Sequence, residues 1–101
     1  MYVVVFRARI KALDDDYHAT AERLRELALA RFGCLEFQSI SQGEDEVTLS
    51  YWPDEQSIRA WKAQADHILA QQTGRARWYA SYAVQIARIE REYHHPNLQA
   101  E

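Results

Sequence analysis

Tyr2-Val3-Val4-Val5-Phe6-Arg7-Ala8-Arg9-Ile10 is rich in β-branched and aromatic side chains, and residues 2–10 read as a strand. Side chains alternate between the two faces of a strand, so the run from Val3 to Phe6 puts apolar groups on both. That pattern suits a sheet covered on both sides better than one with a wet face.

Working outward, Asp14-Asp15-Asp16 offers an N-cap and an acidic first turn. Leu13, Tyr17, Ala21, Leu24, Leu27 and Ala28 follow at helical spacing, and Gly33 stands where a helix-ending glycine belongs, giving a helix over about 14–32. Residues 35–42 and 46–52 read as two strands joined through Gln42-Gly43-Glu44-Asp45, a hairpin signal. Pro53 ends the second of these strands, and Asp54 can cap a helix over about 54–72. In that helix Ile58, Trp61, Ala65, Ile68 and Leu69 form an apolar stripe, and Glu55, Arg59, Lys62 and Asp66 form a solvent stripe. Ala60, Ala63, Gln64, His67, Ala70 and Gln71 make a third face. Thr73-Gly74-Arg75 interrupts the pattern, and Arg77-Trp78-Tyr79 falls on a short turn. A last strand, about 81–93, carries Tyr82, Val84 and Ile86 on one face and Ala83, Ala87 and Ile89 on the other.

The order strand, helix, strand, strand, helix, strand is the split βαβ, ferredoxin-like arrangement. It is an α+β fold with both helices on one face of a four-stranded antiparallel sheet. One domain over 1–93 is expected, with a flexible tail at 94–101. Helices cover one face only, yet strands one and four are apolar on both. A second copy packed sheet against sheet is the economical cover, so a homodimer is expected. Arg7 and Arg9 share one face of strand one and would want acidic partners there, such as Glu90.

Composition narrows the function classes. The chain has 101 residues, with 12 Lys and Arg against 15 Asp and Glu, a formal net charge of −3. No charge excess points to nucleic acid or an anionic membrane surface. The single cysteine, Cys34, excludes an internal disulfide framework and a cysteine-rich zinc site, and favours a reducing compartment. The residues after Met1 form neither a basic signal region nor an apolar run long enough to cross a membrane. A cytoplasmic protein is expected. His94-His95 lacks converging ligands and reads as tail; His18 falls on the wet side of the first helix. No metal site is expected.

Several positions resemble the antibiotic biosynthesis monooxygenase family. They are Val47-Thr48-Leu49-Ser50-Tyr51-Trp52, Ile58, Trp61-Lys62, His67, Ala70-Gln71, Gly74-Arg75, Trp78-Tyr79 and Tyr82. The resemblance runs from about residue 2 to 93. It implies a dimeric α+β barrel with a cavity between each sheet and its own helices. Some members there oxidise phenolic or quinol-like substrates with O2, using no metal, flavin or haem. The haem-degrading branch is similar around Trp52 and Trp61. That branch places a histidine ten residues after the helical tryptophan, where this chain has Gln71, and an asparagine on the first strand, whereas the only asparagine here is Asn97. Haem degradation is therefore disfavoured.

Oxygenation without a cofactor needs a partly apolar pocket, aromatic walls and a group that takes a proton from the substrate. Residues 51–82 hold Tyr51, Trp52, Trp61, Trp78, Tyr79 and Tyr82, all three tryptophans included. Aromatics are also ordinary core filler in a small domain. His67 lies about 120° round the helix from Trp61 among small neighbours, and is the candidate general base or substrate-hydroxyl partner. Trp61 and Tyr51 join it as catalytic candidates. Trp52, Arg75, Trp78 and Tyr82 are the substrate-binding candidates. Arg75 has two uses open to it: orienting an anionic substrate, or folding back on carbonyls at the helix end. The expected function is a cofactor-independent monooxygenase acting on a small phenolic, quinol or polyketide-like aromatic. The rival is a non-catalytic homodimer that binds a small aromatic ligand in the same cavity.

Overall fold

The computed structural model describes residues 1–96. The elements run β1 (Tyr2–Ile10), α1 (Asp15–Arg31), β2 (Glu36–Gln42), β3 (Asp45–Trp52), α2 (Glu55–Gln71), α3 (Gly74–Trp78) and β4 (Tyr79–Arg88). The four strands form one antiparallel sheet in the order β2-β3-β1-β4, with both long helices on one side. This is the expected α+β, ferredoxin-like fold. Of the expected 94–101 tail, residues 97–101 lie outside the described residues.

Local chemistry sets the helix starts. Asp14 and Asp54 are both extended N-caps, with Oδ1 accepting from Tyr17 N at 2.8 Å and from Ser57 N at 2.7 Å. The hairpin turns through Gly43 at φ 62°, a left-handed conformation that glycine adopts without steric cost.

Two details depart from the expected pattern. The Gly74–Trp78 stretch winds into a short helix rather than a turn, because the Trp78 ring packs directly on Gly74. A Cβ at Gly74 would meet Trp78 Cζ3 at 2.6 Å. The last strand covers 79–88 rather than 81–93. It starts early because Tyr79 pairs with Ile10 across a bulge at Arg9/Ile10. It stops because β1 runs out, the last bond going from Ile89 N to Met1 O at 2.9 Å. The same antiparallel register puts Arg9 opposite Ser81, at the far end of β4 from Glu90. Arg9 instead pairs with Glu44 and Asp45 of the hairpin, each at 3.3 Å.

The dry core sits at one end of the helix-covered side, where Val4, Ala28, Cys34, Trp52 and Ile58 are buried together. Trp52 is fully buried, and its indole N–H donates to Ser50 Oγ at 2.8 Å. On the opposite, uncovered side of the sheet lie Val3, Val5, Ile40, Val47, Leu49, Tyr51, Ala83 and Ala87, brought into register by the pairing.

Candidate functional site

Beside that core, the sheet and the helices diverge and enclose a cavity of about 560 Å³. Its floor is the helix-side face of the sheet: Val4 and Phe6 of β1, Phe37 and Ser39 of β2, Glu46, Thr48 and Ser50 of β3, and Tyr82, Val84 and Ile86 of β4. Helix α1 contributes Tyr17, Thr20, Ala21 and Leu24, and α2 contributes Ile58, Trp61, Lys62, Ala65, Asp66 and Leu69. Arg75, Trp78 and Tyr79 close one end. The cavity opens along β4, whose wall residues Tyr82, Val84 and Ile86 remain 42%, 39% and 46% exposed.

The walls are aromatic and interlocked. Phe6 stacks on Tyr82 with ring centroids 5.6 Å apart and meets Tyr79 edge-on at 5.4 Å. Tyr17 meets Trp78 edge-on at 5.4 Å, and Trp61 meets Phe37 at 6.1 Å. Such pairs hold the rings in fixed orientations. The indole donors are already used: Trp61 Nε1 bonds Leu24 O at 3.1 Å, and Trp78 Nε1 bonds Asp14 Oδ1 at 3.1 Å. Neither indole N–H is therefore free to donate to a ligand; Trp61 is half-buried, whereas Trp78 is only 1% exposed.

Polar groups fall into two sets. At the mouth, Asp66 joins Lys62 at 2.9 Å and Arg75 at 2.5 Å, and Arg75 Nε donates to Tyr82 OH at 2.7 Å. Burial works to raise the Asp66 carboxyl, but the two cations outweigh it and hold it below the usual carboxylate range. Deeper in, the Tyr17 hydroxyl donates to Glu46 Oε1. Thr48 Oγ1 lies 3.4 Å from Glu46 Oε2 and 2.8 Å from Ser39 Oγ. Burial, reinforced by Glu46, pushes the Tyr79 phenol up to about 12 and drives Tyr17 higher still. Both phenols stay protonated near neutral pH, and Tyr17 acts as a donor.

The structure divides the sequence candidates. Trp61, Arg75, Trp78 and Tyr82 come together around the cavity. Trp52 belongs to the adjoining dry core, its ring 5.5 Å from that of Trp61. Tyr51 lies on the uncovered face, opposite Val3 and Glu36. His67 is exposed. The α2 residues that line the cavity, 58, 61, 62, 65, 66 and 69, form one helical stripe, and residue 67 sits about half a turn away from its centre. Arg75 does not fold back on helix carbonyls; Arg77 does, reaching Gln72 O at 3.1 Å. His18 is exposed, as expected, but edges the cavity.

Sequence reasoning passed over Glu46, Tyr17 and Tyr79 as functional residues. For Glu46 a signal existed. In Glu46-Val47-Thr48-Leu49-Ser50-Tyr51 the polar residues share one face, and that face is the one the helices cover.

No protein-family model matches the chain. It is 35% identical over 92 residues to the uncharacterised protein YqjZ of Bacillus subtilis, covering 90% of this chain and 81% of that one. It is 28% identical over 93 residues to a jasmonate monooxygenase, ABM, of Pyricularia oryzae. That match covers 88% of this chain but 43% of the fungal protein, so the chain spans under half its length. Among solved structures, SnoaB, a cofactor-independent oxygenase from Streptomyces nogalater, superposes with a TM-score of 0.72 at 13% identity, covering 90% of this chain and 94% of that one. An antibiotic biosynthesis monooxygenase superposes with a TM-score of 0.70 at 17% identity, covering 88% and 98%.

Proposed function

The chain belongs to the family of YqjZ and carries the antibiotic biosynthesis monooxygenase fold, and from that premise we propose that it is a cofactor-independent monooxygenase of small phenolic or quinol-like aromatics. The observation that carries this reading is the cavity of about 560 Å³, walled by aromatic and aliphatic side chains with polar groups at its mouth and along its floor. The monooxygenase name of a relative over most of this chain and the cofactor-independent oxygenase on the same fold support it.

The chemistry asks for no external reductant. A phenol with an open ring position reacts with O2 to give a quinone and water. One oxygen atom enters the ring, the other leaves as water, and the substrate supplies all four electrons. Loss of the hydroxyl proton makes the ring electron-rich enough to reduce O2, and a site walled from bulk water protects the intermediate. In this reading Trp61 and Tyr82 clasp the ring, Trp78 backs the wall from its buried position, and Arg75, fixed by Asp66 and Tyr82, borders the reacting face. Tyr51 and His67, which lie off the cavity, have no part in it.

The working form is a homodimer joined through the uncovered sheet face. The support is the apolar row Val3, Val5, Val47 and Leu49 on that face, which a monomer leaves against water. The lone free thiol, Cys34, which is buried, fits a reducing, cytoplasmic setting. Among the described residues no helix is long and apolar enough to cross a membrane.

Oxygen uptake by metal-stripped protein, measured against a panel of quinols and polyphenols and corrected for autoxidation, tests the reading. Saturable uptake is expected, and Ala21→Trp, which fills the cavity from an exposed α1 position, should abolish it. Uptake no faster than autoxidation, with panel members still bound, would instead make the protein a ligand-binding dimer.

A further inference from the structure

Glu46 is the cavity's one charged group that the ion pairs of the mouth do not involve and that is itself buried, at 9% exposure. Of the cations that line the cavity, Lys62 and Arg75 are committed to Asp66 and Arg25 is exposed, and among the described residues none pairs with Glu46. A carboxylate offers about four acceptor positions. Here Oε1 takes the Tyr17 hydroxyl, and Oε2 has only Thr48 Oγ1, at a long 3.4 Å and shared with Ser39. A buried carboxyl with acceptor positions to spare favours a ligand that has a hydrogen to donate.

Its surroundings define what that something is. Phe6, Tyr79 and Tyr82 put aromatic surface on the same cavity, so a flat ring fits there. The phenols of Tyr17 and Tyr79 remain neutral and cannot cancel the charge. A second anion seated against Glu46 would be repelled by it.

We infer that Glu46 is a specificity-determining residue of the cavity, with Oε2 accepting the hydroxyl hydrogen of a bound neutral aromatic alcohol and turning away aromatic carboxylates. The inference rests on the proposed reading of the cavity as the substrate site. It narrows that reading to ligands that donate a hydrogen bond from oxygen.

Three probes of one ring size test it: 1-naphthol, 1-methoxynaphthalene and 1-naphthoate, measured by equilibrium dialysis at pH 7. Hydrogen bonds to charged groups discriminate by about tenfold or more, so 1-naphthol should bind at least about tenfold tighter than either of the others. This comparison needs no variant. Glu46→Gln keeps an acceptor for Tyr17 and removes the charge. It should weaken 1-naphthol and strengthen 1-naphthoate until the two differ by less than about threefold, a swing in preference of at least about threefold. Ala21→Trp should weaken all three probes and marks the cavity as the place of binding. If the intact protein binds all three alike, and Ala21→Trp still blocks them, the role of Glu46 is overturned while the cavity reading stands. If none binds, or Ala21→Trp changes nothing, the cavity reading falls and the inference falls with it.

Discussion

The two faces of β3 invert the usual arrangement of a half-covered sheet. The face under the helices carries Glu46, Thr48 and Ser50 before the buried Trp52; the face without helices carries Val47, Leu49 and Tyr51 after Asp45. In a sheet stabilised by its own helices the polar residues would face water and the apolar ones the helices. The inversion teaches that burial and solvation are set here by more than one chain's secondary structure. On the proposed reading, a second sheet would cover the apolar face and a ligand would occupy the polar one. The dry core that remains, around Trp52 and Ile58, is confined to one end.

The largest effect should come from charging the apolar face. Leu49 lies mid-strand between Val5 and Gln38. Leu49→Lys would bury an unpaired ammonium at a sheet-to-sheet interface, at a cost of about 3–5 kcal/mol, felt twice by symmetry. Sedimentation equilibrium should show a dimer at micromolar concentration in the parent and a monomer in the variant. An intact variant dimer would remove the sheet face from the interface. Next comes the dry end of the helix-covered face, where Trp52→Ala should cost about 3–5 kcal/mol in thermal unfolding, as deletion of a fully buried aromatic does. Ser50→Ala is smaller. It leaves the buried Trp52 indole N–H without its acceptor, a loss of about 1–3 kcal/mol. If Ser50→Ala proves neutral, that polar face is wet enough for water to replace the hydroxyl.

These faces were partly legible in the sequence. Strand alternation and helical spacing located every long element, and the acids at Asp14 and Asp54 announced the helix starts they cap. The ends of β4 were not legible, because a strand stops where its partner stops and β1 ends at its own terminus. Helix α3 has no side-chain cap, and it exists because Trp78 lies on Gly74, a packing fact with no local signature. The cavity misled for a similar reason. Lys62 and Asp66 read as solvent-facing charges, yet they flank the opening, since their pairing with each other and with Arg75 lets them sit at an apolar rim. That shifted the expected ligand face of α2 toward His67. Glu46 reads as the start of a strand, but the side of the sheet that the helices cover is fixed only by the pairing register.

Acid should separate the helix layer from the exposed sheet. The Asp14 carboxyl is held below its ordinary value chiefly by the Tyr17 backbone N–H; burial opposes this, and Trp78 and Arg77 add to it. Asp54 is held down in the same way by Ser57. A carboxyl depressed in the folded state contributes stability that is present above its unfolded pKa, near 3.8, and lost as pH falls through the lower folded value. The melting temperature should therefore hold between pH 7 and 5 and decline below about 4. Asp14→Asn keeps a capping side chain without the titration, so it should flatten part of that decline. An unchanged acid slope in the variant would mean that the decline has its source elsewhere.

The smallest effect tests the inner and outer division on α2 itself. Residues 58, 61, 62, 65, 66 and 69 line the cavity, while residue 67 points about half a turn away and its side chain is exposed. A surface substitution remote from a site changes free energies by about 0.5 kcal/mol or less, so His67→Ala should alter 1-naphthol affinity and oxygen uptake by no more than about twofold. The ratio of the His67→Ala and Glu46→Gln effects is then the cleanest number to measure, because both variants are read on one ligand in one assay. A tenfold loss of uptake in His67→Ala with binding intact would return the proton-accepting role to the outer face of α2. That outcome requires α2 to present that face to substrate in the assembled dimer, and it would end the division of labour between the two faces argued from β3.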